Sequence, residues 1–180
     1  MKTFNKLLEE FKQIHTSMGM VEDVKLLYEY ATKIRFPRVL ELGVLHGNST
    51  RTFACAAYEA GSHITSVDIE QGCLDEVARK LKDDGLAEYV TFVNSDSVKF
   101  LMNQPSETWN CIFIDTDHRL TQTLAELFVG HDKLVEGGYM FMHDTNMGEV
   151  VTSIEFYKKQ FEPTIHRHFD TPAGLDLIIK

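Results

Sequence analysis

The chain begins with two segments whose apolar residues recur at three- or four-residue spacing, which is the spacing of one face of a helix. These residues are Phe4, Leu7, Leu8 and Phe11 in the first segment and Val24, Leu27, Tyr28 and Ala31 in the second. Residues 15–20 (HTSMGM) lie between them, contain a glycine and are predicted to form a loop. Pro37 cannot continue a helix, so the pattern predicts an extended run after it.

From residue 38 onward, short apolar runs alternate with longer amphipathic segments. The strand-like runs cover residues 39–42, 63–68, 89–94, 109–115 and 139–143. The helix-like segments between and after them cover residues 49–59, 74–82, 97–103, 120–134 and 150–161. The runs CIFI and YMFM are continuously apolar, as in strands that helices cover on both faces. This alternation predicts an open, mostly parallel sheet with right-handed crossovers.

The last part of the chain departs from this alternation. Residues 164–169 and 175–179 are strand-like and flank the turn signal DTPAG at 170–174. Two strands joined by a short turn run antiparallel. The sequence therefore predicts an α/β fold with a doubly wound, mostly parallel seven-stranded sheet that ends in an antiparallel hairpin. The length of 180 residues fits one domain, with residues 1–36 as a helical cap and residues 37–180 as the core that contains the sheet.

Composition and charge restrict the class of partner. The chain has 27 acidic and 18 basic residues, for a net charge of −9, and 43% of its residues are hydrophobic. An acidic surface repels phosphate groups, so we expect neither nucleic acid nor an anionic membrane as a partner. The three cysteines have no metal-like spacing, and residues 1–15 lack the apolar stretch of a signal peptide. A cytoplasmic protein with reduced thiols is the expectation.

The most informative stretch is VLELGVLHGNST at residues 39–50. An apolar strand is followed by a turn that contains Gly43 and Gly47 and leads into a helix. Ligands of open α/β sheets bind outside the carboxyl ends of the strands, and glycine lets the backbone approach a ligand closely. The dinucleotide fingerprint G-x-G-x-x-G is not matched, because Leu45 and Asn48 interrupt it. Such glycines also occur in strand-to-helix turns that bind nothing.

Polar residues follow the next two strands as well. Asp68 ends the second strand, where a carboxylate can accept hydrogen bonds from two ribose hydroxyls. The sequence Asn94-Ser95-Asp96-Ser97 follows the third strand and could contact the edge of an adenine base. The alternative for Asp68, Asp96 and Ser97 is a structural role as helix N-caps.

Together these segments resemble class I S-adenosylmethionine-dependent methyltransferases. The resemblance rests on the motif E-x-G-x-x-x-G-x-S at the end of the first strand, the Asp that ends the second strand and the motif N-S-D-S after the third strand. The reversed last strand is also typical of this family. The resemblance covers residues 37–180. It implies that the Gly43–Gly47 loop holds the methionine part of S-adenosylmethionine, Asp68 the ribose, and Asp96 with Ser97 the adenine. The full set of cofactor residues it implies is Glu41, Gly43, Gly47, Asn48, Ser49, Asp68, Ile69, Asp96, Ser97 and Asp115.

Two further polar clusters end the fourth and fifth strands, with the sequences IDTDH at 114–118 and MHDTN at 142–146. Neighbouring parallel strands place both clusters on one edge of the sheet, and oxygen-rich groups of this kind suit Mg²⁺, Mn²⁺ or Ca²⁺. The pattern resembles the small O-methyltransferase branch that contains cephalosporin hydroxylase-like and macrocin-type enzymes. That resemblance implies a divalent cation, Mg²⁺ or Mn²⁺, on Asp115 and Asp144.

The third metal ligand stays open, with Asn146 as the candidate. Thr145 follows Asp144 where the catechol-type enzymes have an amide, and His143 stands where the macrocin-type enzymes have an acid. The alternative is that His143 and Asp144 form a hydrogen-bonded rim without metal.

The chemistry expected from this resemblance is attack of a small-molecule hydroxyl on the sulfonium methyl group. The candidate catalytic residues are Asp115, His118 and His143. Without a metal, either histidine could be the general base, because imidazole titrates near neutrality. The sequence D-T-D-H after the fourth strand differs from the (N/D)-P-P-(Y/F) signature of enzymes that methylate amino groups of bases.

Two other function classes remain open. A nicotinamide-dependent oxidoreductase would also use Asp68, but the glycine spacing disfavours it, and so does the lack of a Tyr-x-x-x-Lys pair. The other class is a module that binds S-adenosylmethionine without catalysis. Residues 15–20 could also close over the cofactor, with Met18 and Met20 as lid contacts. Little chain is left to shape an acceptor pocket, so the pocket could be open or completed by a second subunit, and a homodimer is a candidate assembly.

Overall fold

The structure, a computed structural model, describes residues 1–14 and 19–180. In that part of the chain, seven strands form one sheet in the order β3-β2-β1-β4-β5-β7-β6. The strands are β1 (Arg38–Leu42), β2 (His63–Asp68), β3 (Val90–Asn94), β4 (Trp109–Ile114), β5 (Leu134–His143), β6 (Ile165–Phe169) and β7 (Leu175–Ile179). The helices are α1 (Phe4–Ile14), α2 (Gly19–Ile34), α3 (Asn48–Ala60), α4 (Gln71–Asp84), α5 (Ser97–Met102), α6 (Leu120–Lys133) and α7 (Gly148–Phe161).

The strand directions confirm the predicted fold class. Strands β1 to β5 are mutually parallel, whereas β7 runs antiparallel to both β5 and β6. Strand β1 lies inside the sheet, paired with β2 on one side and β4 on the other, so the winding direction of the chain reverses between β1 and β4. In open α/β sheets this reversal opens a crevice at the carboxyl ends of the strands.

Helices cover both faces of the sheet, which explains the continuously apolar central strands. On one face, Leu40, Ile112 and Met140 pack with Ile154 and Tyr157 of α7. On the other face, the side chains that face α2 and α3 form a second cluster, which includes Val39, Phe113, Phe141, Leu27 and Phe53. Because residues alternate between faces along a strand, a strand covered on both sides needs apolar side chains at nearly every position.

Strand β5 begins earlier than its sequence pattern predicts. The pattern indicates a start at Tyr139, because Gly137 and Gly138 read as a turn, whereas the strand begins at Leu134. The pairing with β4 shifts register: Trp109 pairs with Leu134, yet Cys111 pairs with Tyr139. The extra residues form an irregularity within the strand, and Gly137 adopts a φ of +70° there, a conformation that favours glycine.

The prediction of a loop over residues 15–20 is wrong for residues 19 and 20, which form the first turn of α2. Met20 continues the apolar spacing of Val24 and Leu27, so the helical pattern extends further toward the N-terminus than the glycine suggests. Residues 15–18, including the candidate lid residue Met18, lie outside the described residues. None of the helices described is long and apolar enough to cross a membrane.

Candidate functional site

A cavity of about 440 Å³ opens at the carboxyl ends of the central strands, where the winding of the sheet reverses. It is lined by residues that follow β1, β2, β3, β4 and β5, together with residues of α2 and α6. The lining residues are Met20, Gly43, Val44, Leu45, Val67, Asp68, Ile69, Ser95, Asp96, Ser97, Asp115, Thr116, Asp117, His118, Arg119, Gln122, His143 and Asp144.

Gly43 lets the loop after β1 pass against the end of β4. Its φ is +91°, and a Cβ atom at this position would lie 1.9 Å from the carbonyl oxygen of Asp115. Gly47 has a different role, because a Cβ atom there would lie 2.4 Å from a methyl carbon of Val77 in α4. The first glycine therefore shapes the cavity, and the second allows the start of α3 to pack against α4.

The carboxylate of Asp68 fixes the same loop. Its Oδ2 accepts hydrogen bonds from the backbone N–H groups of Val44 (2.8 Å) and Leu45 (3.2 Å), and its Oδ1 accepts one from Glu70 at 2.8 Å. A carboxylate offers about four acceptor sites, so Asp68 can hold the loop and still accept from a ligand hydroxyl. Ile69 follows it at the rim of the cavity and is largely exposed.

Four predicted cofactor residues lie behind the loop rather than on the cavity wall: Glu41, Gly47, Asn48 and Ser49. Glu41 is fully buried and its Oε2 accepts a hydrogen bond of 2.6 Å from Ser66. Burial raises the pKa of Glu41 to about 7, against the opposing effect of the hydroxyls of Ser49, Ser66 and Thr50. Asn48 and Ser49 begin α3, and Ser49 is buried on the side of Glu41.

Asp96 and Ser97 line the cavity and also organise the start of α5. Asp96 is the N-cap, and its Oδ1 accepts a hydrogen bond of 2.8 Å from the backbone N–H of Lys99. Asp96 therefore has the N-cap role that the sequence offered as an alternative. The cap uses one of its two carboxylate oxygens, and the side chain also lines the cavity. Ser97 is bonded to Glu126 of α6, a residue that sequence reasoning did not single out.

Two carboxylates and an imidazole converge at the ends of β4 and β5. Among the residues described, Asp115, His118 and Asp144 can each place one ligand atom so that all three atoms lie within 4.8 Å of one another. Nε2 of His118 lies 2.9 Å from Oδ2 of Asp144 and 3.7 Å from Oδ1 of Asp115. Although it is buried, this nitrogen makes no well-directed hydrogen bond. Asp144 has a φ of +54°, which turns the chain sharply after β5.

The carboxylates change the pKa of this imidazole. Asp115 and Asp144 raise the pKa of His118 to about 10. The pKa of the Asp144 carboxyl is lowered in turn by His118 and His143. The donor set, two carboxylates beside a buried imidazole nitrogen, suits a divalent cation such as Mg²⁺ or Mn²⁺.

Asn146 is not part of this group. Its side-chain amide donates to the carbonyl oxygens of Thr171 (3.4 Å) and Pro172 (3.2 Å), at the turn between β6 and β7. The same turn comes so close that a Cβ atom on Gly174 would lie 2.8 Å from the backbone nitrogen of Asn146. The amide is therefore used to hold the hairpin, and His118 occupies the position beside the two carboxylates.

His143 has a carboxylate at each ring nitrogen. Nδ1 lies 3.2 Å from Oδ1 of Asp115 and 3.3 Å from Oδ2 of Asp144, and Nε2 lies 3.0 Å from Oδ2 of Asp23. Burial alone would lower the pKa of His143, but the hydrogen bonds to Asp115, Asp144 and Asp23 raise it to about 12.

Asp23 comes from α2 and was not among the predicted site residues. The sequence does contain a feature that points to Asp23. It is an acidic residue on the apolar face of a predicted helix, three positions after Met20 and four before Leu27.

Fold and site together define a doubly wound α/β protein with a cofactor-type cavity at the switch point of its sheet. The model of a family described as a methyltransferase domain matches residues 40–145, more than half of the chain, and the chain belongs to this family. The resemblance to class I S-adenosylmethionine-dependent methyltransferases is thereby confirmed.

Among curated proteins, the chain is similar to the tapetum-specific methyltransferase 1 of Arabidopsis thaliana, with 30% identity over 106 residues. This match covers 57% of the chain but only 45% of that relative, so the chain spans less than half of the relative's length.

Solved structures of methyltransferases share the fold along nearly the whole chain. A putative caffeoyl-CoA O-methyltransferase from Staphylococcus aureus has a TM-score of 0.72 and 13% identity, and the match covers 98% of each chain. The O-methyltransferase from Bacillus cereus, solved in complex with SAH, has a TM-score of 0.73 and 16% identity over 97% of this chain and 90% of that one. At 13% and 16% identity, these two comparisons support the assignment of the fold alone.

Proposed function

We propose that the protein transfers a methyl group from S-adenosylmethionine to a hydroxyl of a small molecule, with the assistance of a divalent cation. The observation that carries the proposal is that the Asp115, His118 and Asp144 side chains line the same cavity as Gly43 and Asp68. A hydroxyl held at these three residues would face a cofactor held along the glycine loop.

The cofactor part of the proposal uses the residues that follow the first three strands. Asp68 has acceptor capacity left for ribose hydroxyls beyond its bonds to Val44 and Leu45. Asp96 and Ser97 lie on the part of the wall that would meet the adenine. A sulfonium cation is compatible with this edge of the sheet, because the surrounding carboxylates carry the opposite charge.

The catalytic part of the proposal assigns two tasks to the chain. Asp115 and Asp144 would hold the cation, which when bound lowers the pKa of a coordinated hydroxyl. Asp115 and Asp144 alone raise the pKa of His118 to about 10, which keeps a proton on the imidazole. With both carboxylates engaged by the cation, His118 would be the neighbouring group that receives the hydroxyl proton at Nε2. The thioether leaving group needs no protonation, so orientation of the oxygen and removal of its proton are the work of the protein.

The proposal is tested by transfer of a radiolabelled methyl group from S-adenosylmethionine to a panel of catechols, aliphatic alcohols and primary amines, with Mn²⁺ or EDTA. We expect labelling of hydroxyl compounds, its loss in EDTA, and a fall of roughly 100-fold or more in His118→Ala. The control His63→Ala removes an exposed histidine at the start of β2, the end of that strand opposite Asp68 and the cavity. Labelling of amines alone would contradict the oxygen acceptor, and unchanged labelling in EDTA would contradict the metal.

A further inference from the structure

A buried acid of α2 lies behind the carboxylates at the ends of β4 and β5. Asp23 is fully buried and does not line the cavity, and its Oδ2 lies 3.0 Å from Nε2 of His143. Its other oxygen, Oδ1, is buried without a hydrogen-bond partner among the residues that the structure describes. A buried carboxylate oxygen that is left unpaired reduces stability, so the packing of α2 alone does not explain an acid at this position.

The ring of His143 connects Asp23 to both carboxylates of the proposed cation site. Nδ1 lies 3.2 Å from Oδ1 of Asp115 and 3.3 Å from Oδ2 of Asp144. A carboxylate only accepts hydrogen bonds, so the imidazole must be the donor between these two oxygens. Two carboxylates repel each other, and a donor that they share offsets this repulsion before a cation is bound.

The direction of this donor depends on the orientation of the imidazole. Phe113 packs beside the ring, with 6.2 Å between the two ring centroids, and the bond from Nε2 to Asp23 fixes the far end of the ring. Because an imidazole is rigid, a hydrogen bond that fixes Nε2 also fixes the direction in which Nδ1 points. Asp23 therefore acts on the oxygens of Asp115 and Asp144 through His143.

We propose that Asp23 is a positioning residue for the cation site, and that through His143 it holds the carboxylates of Asp115 and Asp144 in place to bind a divalent cation. The inference rests on the proposed function. It also assigns a task to α2, which lies outside residues 40–145, the segment that the family model matches. Loss of a group that orients the ligands of a metal typically weakens metal binding by about 10- to 100-fold.

Titration of the protein with Mn²⁺, followed by electron paramagnetic resonance, tests this inference. Asp23→Leu removes the acceptor for Nε2 and should weaken Mn²⁺ binding by about 10-fold or more. Asp23→Asn keeps an oxygen that accepts from Nε2, so its affinity should stay within about 3-fold of the wild type. Binding of S-adenosylhomocysteine, measured by calorimetry, should be unchanged in both variants, because Asp23 does not line the cavity.

A double variant keeps the test decisive if Asp23→Leu does not fold, since that substitution leaves His143 buried without its partner. Asp23→Leu combined with His143→Phe replaces the charged pair by two apolar side chains, an exchange that often maintains or raises stability. This variant should bind S-adenosylhomocysteine as the wild type does and bind Mn²⁺ about 10-fold or more weakly.

The matched control is Asp84→Asn. Asp84 is another buried acid, which pairs with Arg51 at the last residue of α4 and does not line the cavity. Its replacement should lower the stability and leave the affinity for Mn²⁺ unchanged.

Three results would overturn this inference alone. They are wild-type affinity for Mn²⁺ in the double variant, a loss in Asp23→Asn as large as that in Asp23→Leu, and an equal loss in Asp84→Asn. A wild-type protein that does not bind Mn²⁺ would overturn the proposed metal assistance and this inference with it.

Discussion

Nε2 of the His143 imidazole lies 3.0 Å from a carboxylate oxygen of Asp23, and both side chains are buried. Asp23 belongs to α2, whereas His143 ends β5 beside the two carboxylates of the site. This pair therefore ties a helix outside the matched methyltransferase segment, residues 40–145, directly to the edge of the sheet where the chemistry is proposed.

Replacement of Asp23 tests the energetic importance of that pair. Asp23→Ala leaves the buried imidazole without its partner at Nε2, so the free energy of unfolding should fall by about 3 kcal/mol. Urea denaturation followed by circular dichroism measures the change. The control Glu22→Ala removes the exposed acid next to it and should change the stability by less than about 0.5 kcal/mol. Equal effects of the two substitutions would contradict a specific role for Asp23.

Gly43→Ala tests the close approach between the loop after β1 and the end of β4. The added methyl group would collide with the Asp115 carbonyl, and alanine disfavours a φ of +91°. We expect a loss of more than about 2 kcal/mol in thermal or urea unfolding, together with weaker binding of S-adenosylhomocysteine. Gly72→Ala in α4 is the matched control, because its Cβ would meet nothing within 4 Å, and it should be neutral or stabilising.

The buried carboxyl of Glu41 predicts a specific dependence of stability on pH. Its pKa is raised to about 7 from 4.5, so the folded state binds the proton more tightly than the unfolded state does. The stabilisation from the neutral form is complete below pH 4.5 and is lost as the pH rises to about 7. Above that pH, the charged form costs about 3 kcal/mol.

Glu41→Gln removes this titration. The stability of the variant relative to the wild type should therefore rise between pH 4.5 and about 7, as measured by urea denaturation at a series of pH values. Glu22→Gln, at an exposed position of α2, should follow the wild-type curve. A constant difference between Glu41→Gln and the wild type across this range would disprove the assignment to Glu41.

Binding of Mn²⁺ separates the residues around the proposed cation. Asp144→Asn removes a charged oxygen donor next to Asp115 and His118, and should weaken Mn²⁺ binding, measured by electron paramagnetic resonance, by about 10-fold or more. Asn146→Ala should leave the affinity within about 2-fold, because the Asn146 amide is bonded to the hairpin turn. A larger loss in Asn146→Ala than in Asp144→Asn would restore Asn146 as the ligand and contradict the geometry.

Much of this arrangement could be predicted from periodicity and one rule of sheet architecture. Asp68, Asp115 and Asp144 each follow an apolar run, and the carboxyl ends of parallel strands meet at one edge, so their convergence follows from the sequence pattern. Gly43 was recognisable for the same reason, because it follows the first of these runs.

The rest depends on contacts between segments far apart in the chain. Asp23 reaches His143 across 120 positions, and Ser97 reaches Glu126 across 29, so neither partner could be found from local spacing. Asn146 was a reasonable ligand candidate next to Asp144, but its orientation depends on how the turn between β6 and β7 packs. The early start of β5 likewise depends on a shift in its pairing register with β4. Gly137 and Gly138 do not indicate this shift in the sequence, because two adjacent glycines are also typical of a turn.

The most direct test of the central claim is calorimetric titration of the wild-type protein with S-adenosylhomocysteine and, separately, with NAD⁺. We expect one molecule of S-adenosylhomocysteine to bind per chain and NAD⁺ to give no detectable heat of binding. Binding of NAD⁺ without binding of S-adenosylhomocysteine would contradict it and would favour an oxidoreductase built on the same sheet.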